Sequence, residues 1–124
     1  MTASAGAIDI LQIAARAADA KGGEDLVALD VSEPLPLVDI FLVVTGRSER
    51  NVAAIADEIE DQLLAAGVKR LRREGRAESR WVLIDFGDLV VHVFHEQERV
   101  FYGLERLWKD CPVVPIELPV PHGS

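Results

Sequence analysis

Apolar residues recur along this chain with two different periods, and the switches between them predict its elements. Ile8, Leu11, Ala15 and Ala18 stand at helical spacing before Gly22-Gly23, which predicts a helix over residues 8–20. Two β-branched runs, 25–31 and 39–45, flank Glu33-Pro34-Leu35-Pro36 and predict strands joined by a proline-bearing turn. Ser48 is placed to cap a helix through residue 66. Its stripe is Val52, Ile55, Ala56, Ile59 and Leu63, its solvated face Asp57, Glu58, Glu60 and Asp61, and its stop Gly67. Three strands are predicted at 69–74, 80–86 and 89–95. A last helix follows over about 98–109, with Phe101, Leu104, Leu107 and Trp108 as its stripe. Pro112, Pro115, Pro119 and Pro121 forbid a helix beyond Cys111, so residues 1–111 form one domain and 112–124 a proline-rich tail. That tail is either mobile or packed through Val113, Val114, Ile116 and Leu118. The order αββαβββα predicts an α/β (α+β) fold, a mixed sheet of about five strands flanked by helices.

Gly87-Asp88 between two apolar runs reads as a two-residue hairpin loop, with glycine supplying the positive φ of a type I′ or II′ turn. Counting outward pairs Phe86 with Leu89, Asp85 with Val90, Ile84 with Val91, Leu83 with His92, Val82 with Val93 and Trp81 with Phe94. Alternation then sorts the pairs onto two faces. Val82, Ile84, Phe86, Leu89, Val91 and Val93 make a wholly apolar face, which is the core side. Trp81, Leu83, Asp85, Val90, His92 and Phe94 make a mixed one. Aromatic residues beside hydrogen-bonding groups suit protein recognition. The competing reading has a helix covering this face and Trp81 as plain core.

Composition narrows the choices. The chain has 124 residues, 49% of them apolar, enough for one domain with a real core. The longest apolar run, residues 40–44, is far too short for a bilayer span. Residues 1–8 lack the basic and apolar regions of a secretory signal, and the single cysteine, Cys111, suits a reducing cytoplasm. Net charge is −8, from 21 acidic and 13 basic residues. Such a chain is a poor direct RNA binder and attracts basic partners instead. The basic residues are locally dense at Lys69, Arg70, Arg72, Arg73, Arg76 and Arg80, as a solvated strand edge or as an anionic contact.

Taken in order, several motifs resemble the ribosomal silencing factors, also called the Iojap-like family. The most specific are Trp81-Val82-Leu83-Ile84-Asp85-Phe86-Gly87-Asp88 followed by Val91-His92-Val93, and the block from Arg99 to Trp108. Ala28-Leu29-Asp30, Thr45-Gly46 with Ser48, and Glu74-Gly75 add to them, so the likeness runs from about residue 25 to 108. The resemblance implies a homodimer whose fold is similar to nucleotidyltransferases without their activity. It implies binding to ribosomal protein L fourteen on the intersubunit face of the large subunit, which obstructs joining of the small subunit and represses translation. A part in large-subunit biogenesis is implied as well. The partner contact carries over to Trp81, Asp85 and Asp88, with Phe86 as a further position, and the mixed hairpin face adds His92. Two positions depart from the family: Asn51 stands where many relatives have His, and Phe86 where Tyr or Leu is common.

Other chemistry finds less support. Asp85-Phe86-Gly87 copies a kinase metal-binding triplet, but the chain has no glycine-rich loop and no catalytic-loop signature. A nucleotidyltransferase needs paired carboxylates on one strand face, and position 41, two residues beyond Asp39, is Phe. This residual nucleotide-binding reading is the alternative to a silencing factor, as fold likeness does not carry function. His92 and His95 point to opposite faces of one strand and cannot share an ion with Glu96. Ser48, His92 and Asp85 form no recognisable nucleophile motif, and Cys111 has no predicted His partner. The expectation is a binding protein without catalytic residues, metal or cofactor, and without a membrane partner.

Overall fold

Serine side chains open the two long helices among the described residues of the computed structural model, which describes residues 3–75, 80–98 and 109–118. Helix α1 (Ala5–Ala20) is capped by Ser4, whose Oγ accepts from the Ala7 N–H at 3.1 Å. It starts three residues before the periodicity predicts, because Ala5-Gly6-Ala7 carries no large apolar side chain to reveal the period. Helix α2 (Glu49–Ala65) starts where predicted, with Ser48 Oγ accepting from Asn51 N–H at 3.0 Å. Residues 96–98 are helical; the rest of the helix predicted over 98–109 lies outside the described residues, apart from Lys109, which stands in a turn.

Five strands form one sheet in the order β1-β2-β5-β4-β3: β1 (Glu24–Asp30), β2 (Ile40–Gly46), β3 (Arg72–Gly75), β4 (Trp81–Asp85) and β5 (Leu89–His95). Only β2 and β5 run parallel; the other neighbours are antiparallel, so the sheet is mixed, as the element order predicts. Parallel strands sit at sheet centres and read as unbroken apolar runs. Ile40 to Val44 is such a run, and Leu89 to Phe94 is one broken only by His92. Every residue of β5 except His95 is buried.

Hairpin register matches the counting pair for pair from Trp81↔Phe94 to Asp85↔Val90, and Phe86 N–H donates to Leu89 C=O at 2.9 Å. Gly87 has φ +95° and Asp88 has no positive φ, which is the type II′ pattern. The face predicted as apolar holds Val82, Ile84, Phe86, Leu89, Val91 and Val93, all buried. Against it pack Leu11, Ala14 and Ala18 of α1 and Val52, Ile55, Ile59 and Leu63 of α2. Each buried Ile, Leu or Val contributes about 1.5–3 kcal/mol of transfer free energy. Gly46 lets the end of β2 meet the first turn of α2. A Cβ there would lie 2.7 Å from Val52 Cγ2 and 3.1 Å from Val52 N.

Residues 112–118 pack on the domain. Pro112 C=O accepts from Asp30 N–H at 2.8 Å, and Val114 N–H donates to Ala28 C=O at 2.9 Å, beside the antiparallel bridge Leu29↔Val113. The prolines fit because Pro112 stands at the first pairing position, where it contributes only its carbonyl, and position 115 alternates away from β1. Val114 is buried and Ile116 packs on the core, whereas Val113 and Leu118 stay exposed. Gln12 on α1 holds the same segment, donating to Pro115 C=O (3.0 Å) and accepting from Glu117 N–H (2.8 Å).

Candidate partner-binding face

Alternation along β4 puts Trp81, Leu83 and Asp85 in a line on the face opposite both described helices, spanning about 13 Å at the rise of a strand. All three are half-buried, while their neighbours on the central strand, Val90, His92 and Phe94, are buried. The mixed face is therefore divided. Its centre is dry, and the β4 side is open to solvent in part. Beyond β4, the edge strand β3 extends the same face with Glu74 opposite Leu83 and Arg72 opposite Asp85. Glu74, Gly75, Trp81 and Leu83 line a shallow hollow of about 250 Å³ at the Trp81 end.

The aromatic residues form one layer. Trp81 and Phe94 stack across the strand pair with centroids 5.2 Å apart and 20° between planes. His92 lies parallel to Phe94 at 6.1 Å, and Phe41 of β2 meets it edge-on at 4.9 Å. Trp81 Nε1–H donates to His92 Nδ1 at 3.4 Å. Burial pushes the imidazole pKa down to about 4, so the ring is neutral at physiological pH. Its other nitrogen, Nε2, is buried without a hydrogen-bond partner.

At the far end of β4 the Asp85 carboxylate accepts from Gly87 N–H at 2.8 Å, closing the turn as aspartate side chains often do. Its other oxygen stands 3.9 Å from Arg72 Nε. Asp88 is exposed at the tip, and its carbonyl accepts from Asp39 N–H and Ile40 N–H, tying the tip to the start of β2. Phe86 belongs to the core face and is 8% exposed, so it offers a partner little surface. Trp81, Asp85 and Asp88 thus stand along one strand and its turn, with His92 behind Trp81 and Phe86 on the opposite side.

Two exposed leucines flank this turn, and the residue patterns did not mark them. Leu71, 71% exposed, has Cδ1 3.5 Å from where a Cβ on Gly87 would stand. Leu37, 85% exposed, precedes Asp39, whose N–H reaches the Asp88 carbonyl. Leu71 is a lone apolar residue between Arg70 and Arg72, so no period in the sequence marks it.

The arginines themselves are paired. Arg73 bridges Asp57 and Glu60, both at 2.9 Å, and Arg70 meets Glu60 at 2.9 Å. Arg80 reaches Glu98 at 3.0 Å and Glu49 at 3.4 Å. Arg70 and Arg73 therefore face the acidic side of α2, while Arg72 lies on the other face of β3 beside Asp85; Arg76 lies outside the described residues. Asn51 accepts from Arg47 N–H (2.9 Å) and donates to Lys21 C=O (2.8 Å), joining the start of α2 to the end of α1.

Asp39, the lone carboxylate of the nucleotidyltransferase reading, accepts from Ser4 N–H at 2.8 Å. Asp30 likewise accepts from Ala3 N–H and from both N–H and hydroxyl of Ser32. Burial raises the Asp30 pKa, but these hydrogen bonds outweigh it and leave the group below its ordinary range. Among the described residues no three His, Cys, Asp or Glu side chains are grouped to hold a metal ion, and no helix is long and apolar enough to cross a membrane.

Residues 4–122 match the protein family described as "Ribosomal silencing factor during starvation". The chain is 48% identical over 108 residues to the ribosomal silencing factor RsfS of Bacillus subtilis (strain 168), covering 87% of this chain and 92% of that protein. Among solved structures, a protein from Bacillus halodurans superposes with a TM-score of 0.77 at 44% identity, covering 87% of this chain and 98% of that one. Protein CV0518 from Chromobacterium violaceum gives 0.79 at 34% identity, covering 94% and 92%.

Proposed function

Because the chain belongs to the ribosomal silencing factor (Iojap-like) family, we propose that it binds the large ribosomal subunit and silences it by occupying surface that the small subunit needs. The contact in this reading is ribosomal protein L fourteen, and the consequence is fewer joined ribosomes and less translation. The reading also includes a homodimer in the cytoplasm and a part in large-subunit biogenesis. Nothing catalytic is asked of the protein, since a bound domain obstructs by its bulk.

One observation carries the proposal: the line of Trp81, Leu83 and Asp85 along β4, ending at exposed Asp88 and flanked by exposed Leu37 and Leu71. A half-buried tryptophan beside apolar residues suits an interface centre, and acidic Asp85 and Asp88 suit its polar rim. A net charge of −8 favours encounter with a basic ribosomal protein. Trp81→Ala is expected to abolish co-sedimentation with purified large subunits while the circular dichroism spectrum stays that of the folded protein. Undiminished co-sedimentation removes Trp81 from the site. Wild-type protein that leaves subunit reassociation unslowed in light scattering refutes silencing itself.

A further inference from the structure

A polar ring at position 92 is hard to explain by packing alone. The site lies on the central strand, 5% exposed, between Phe41 and Phe94. A leucine or phenylalanine there would leave no polar atom stranded, whereas His92 carries a buried Nε2 with no hydrogen-bond partner. Its other nitrogen has a use. Nδ1 accepts from the indole N–H of Trp81, a group that can only donate, and that acceptor role places the ring proton on Nε2.

Phe94 and His92 act on Trp81 in different ways. Stacking on Phe94 sets the plane of the indole but resists sliding within that plane only weakly. A hydrogen bond from one edge of the ring to His92 opposes that sliding. Phe41 edge-on and Phe94 face-on in turn hold the imidazole. We infer that His92 is a positioning residue, whose Nδ1 fixes the indole of Trp81 within the partner-binding face while touching no partner itself. The inference rests on the reading of Trp81 as a contact. A pre-set tryptophan loses less rotamer freedom on binding, so the imidazole raises affinity without adding contact area.

Nitrogen-15 NMR of the wild-type protein gives a test that needs no variant. The His92 ring is expected in the Nε2–H tautomer, and an Nδ1–H tautomer overturns the inference, as that nitrogen then has no lone pair to offer. His92→Leu removes the acceptor, and His92→Asn keeps an oxygen near the place of Nδ1. The Trp81 indole resonance, identified by its absence from Trp81→Phe, is expected to move in His92→Leu and to return toward its wild-type place in His92→Asn. Binding to large subunits is expected to weaken about tenfold in His92→Leu, roughly the worth of one hydrogen bond to an anchoring residue, and to recover largely in His92→Asn. An unmoved indole resonance in His92→Leu, or a moved one with wild-type affinity, overturns the inference. Trp81→Ala that binds as wild type overturns instead the contact reading beneath it, and the indole shift tells the two failures apart.

Discussion

His92 costs the fold something even as it holds Trp81, because its orphaned N–H must be kept from water and its charged form excluded. The unfolded imidazole titrates near 6.5 and the folded one at about 4, so between those values the unfolded chain binds more protons. Stability is therefore expected to be complete above pH 6.5 and to fall as pH drops toward 4, by up to about 3 kcal/mol from this group. Urea melts across that range check it, and His92→Asn should flatten the slope. A slope that survives the substitution assigns it elsewhere. Asp30, with its lowered pKa, works in the same direction but at lower pH, losing its contribution as pH falls through the carboxylate range. Gly46 shows a different kind of residue constraint. Gly46→Ala forces Val52 and the first turn of α2 outward, at an expected cost of about 1–3 kcal/mol in the same melts.

At the scale of elements, what could be read in advance depended on how local its causes were. The hairpin follows from Gly87 and from alternation, both written within 14 residues, and its register came out pair by pair. The cap at Ser48 is equally local. The start of α1 was hidden because alanine and glycine show no period. The place of residues 112–118 was open because an extended segment finds its edge through partners far off in the chain. Gln12 is one such partner, bonded to residues 103 and 105 positions downstream. Gln12→Ala is expected to cost about 1 kcal/mol and to speed hydrogen exchange at the Glu117 amide. Unchanged exchange there would mean that the β1 pairing holds the segment unaided.

For the molecule as a whole, sheet, core face and charge balance were legible because they rest on period and composition. The candidate face was legible only in part. Strand alternation put Trp81, Asp85 and His92 together, but it could not show that the centre of that face is buried while the β4 side stays half open. Nor could it bring Leu37 and Leu71 to the turn, since only the folded chain joins the Asp88 carbonyl to the N–H of Asp39. Phe86 took its place in the motif by likeness and in the core by parity, and the two assignments differ in what they ask of it.

The pairing of residues 112–118 with β1 also sets a timetable. While the chain is being made, β1 and β2 emerge early, but the carbonyl that receives the Asp30 N–H belongs to Pro112. Until that residue is translated, the outer rim of the sheet is unfinished, and unpaired strand rims invite association with other chains. Completion of this rim is thus tied to the synthesis of residues 112–114 rather than to the speed of the core. In pulse-labelled refolding, the Asp30 amide is expected to gain protection after the amides of β4 and β5. Simultaneous protection would mean that the tail finds its place as fast as the hairpin closes.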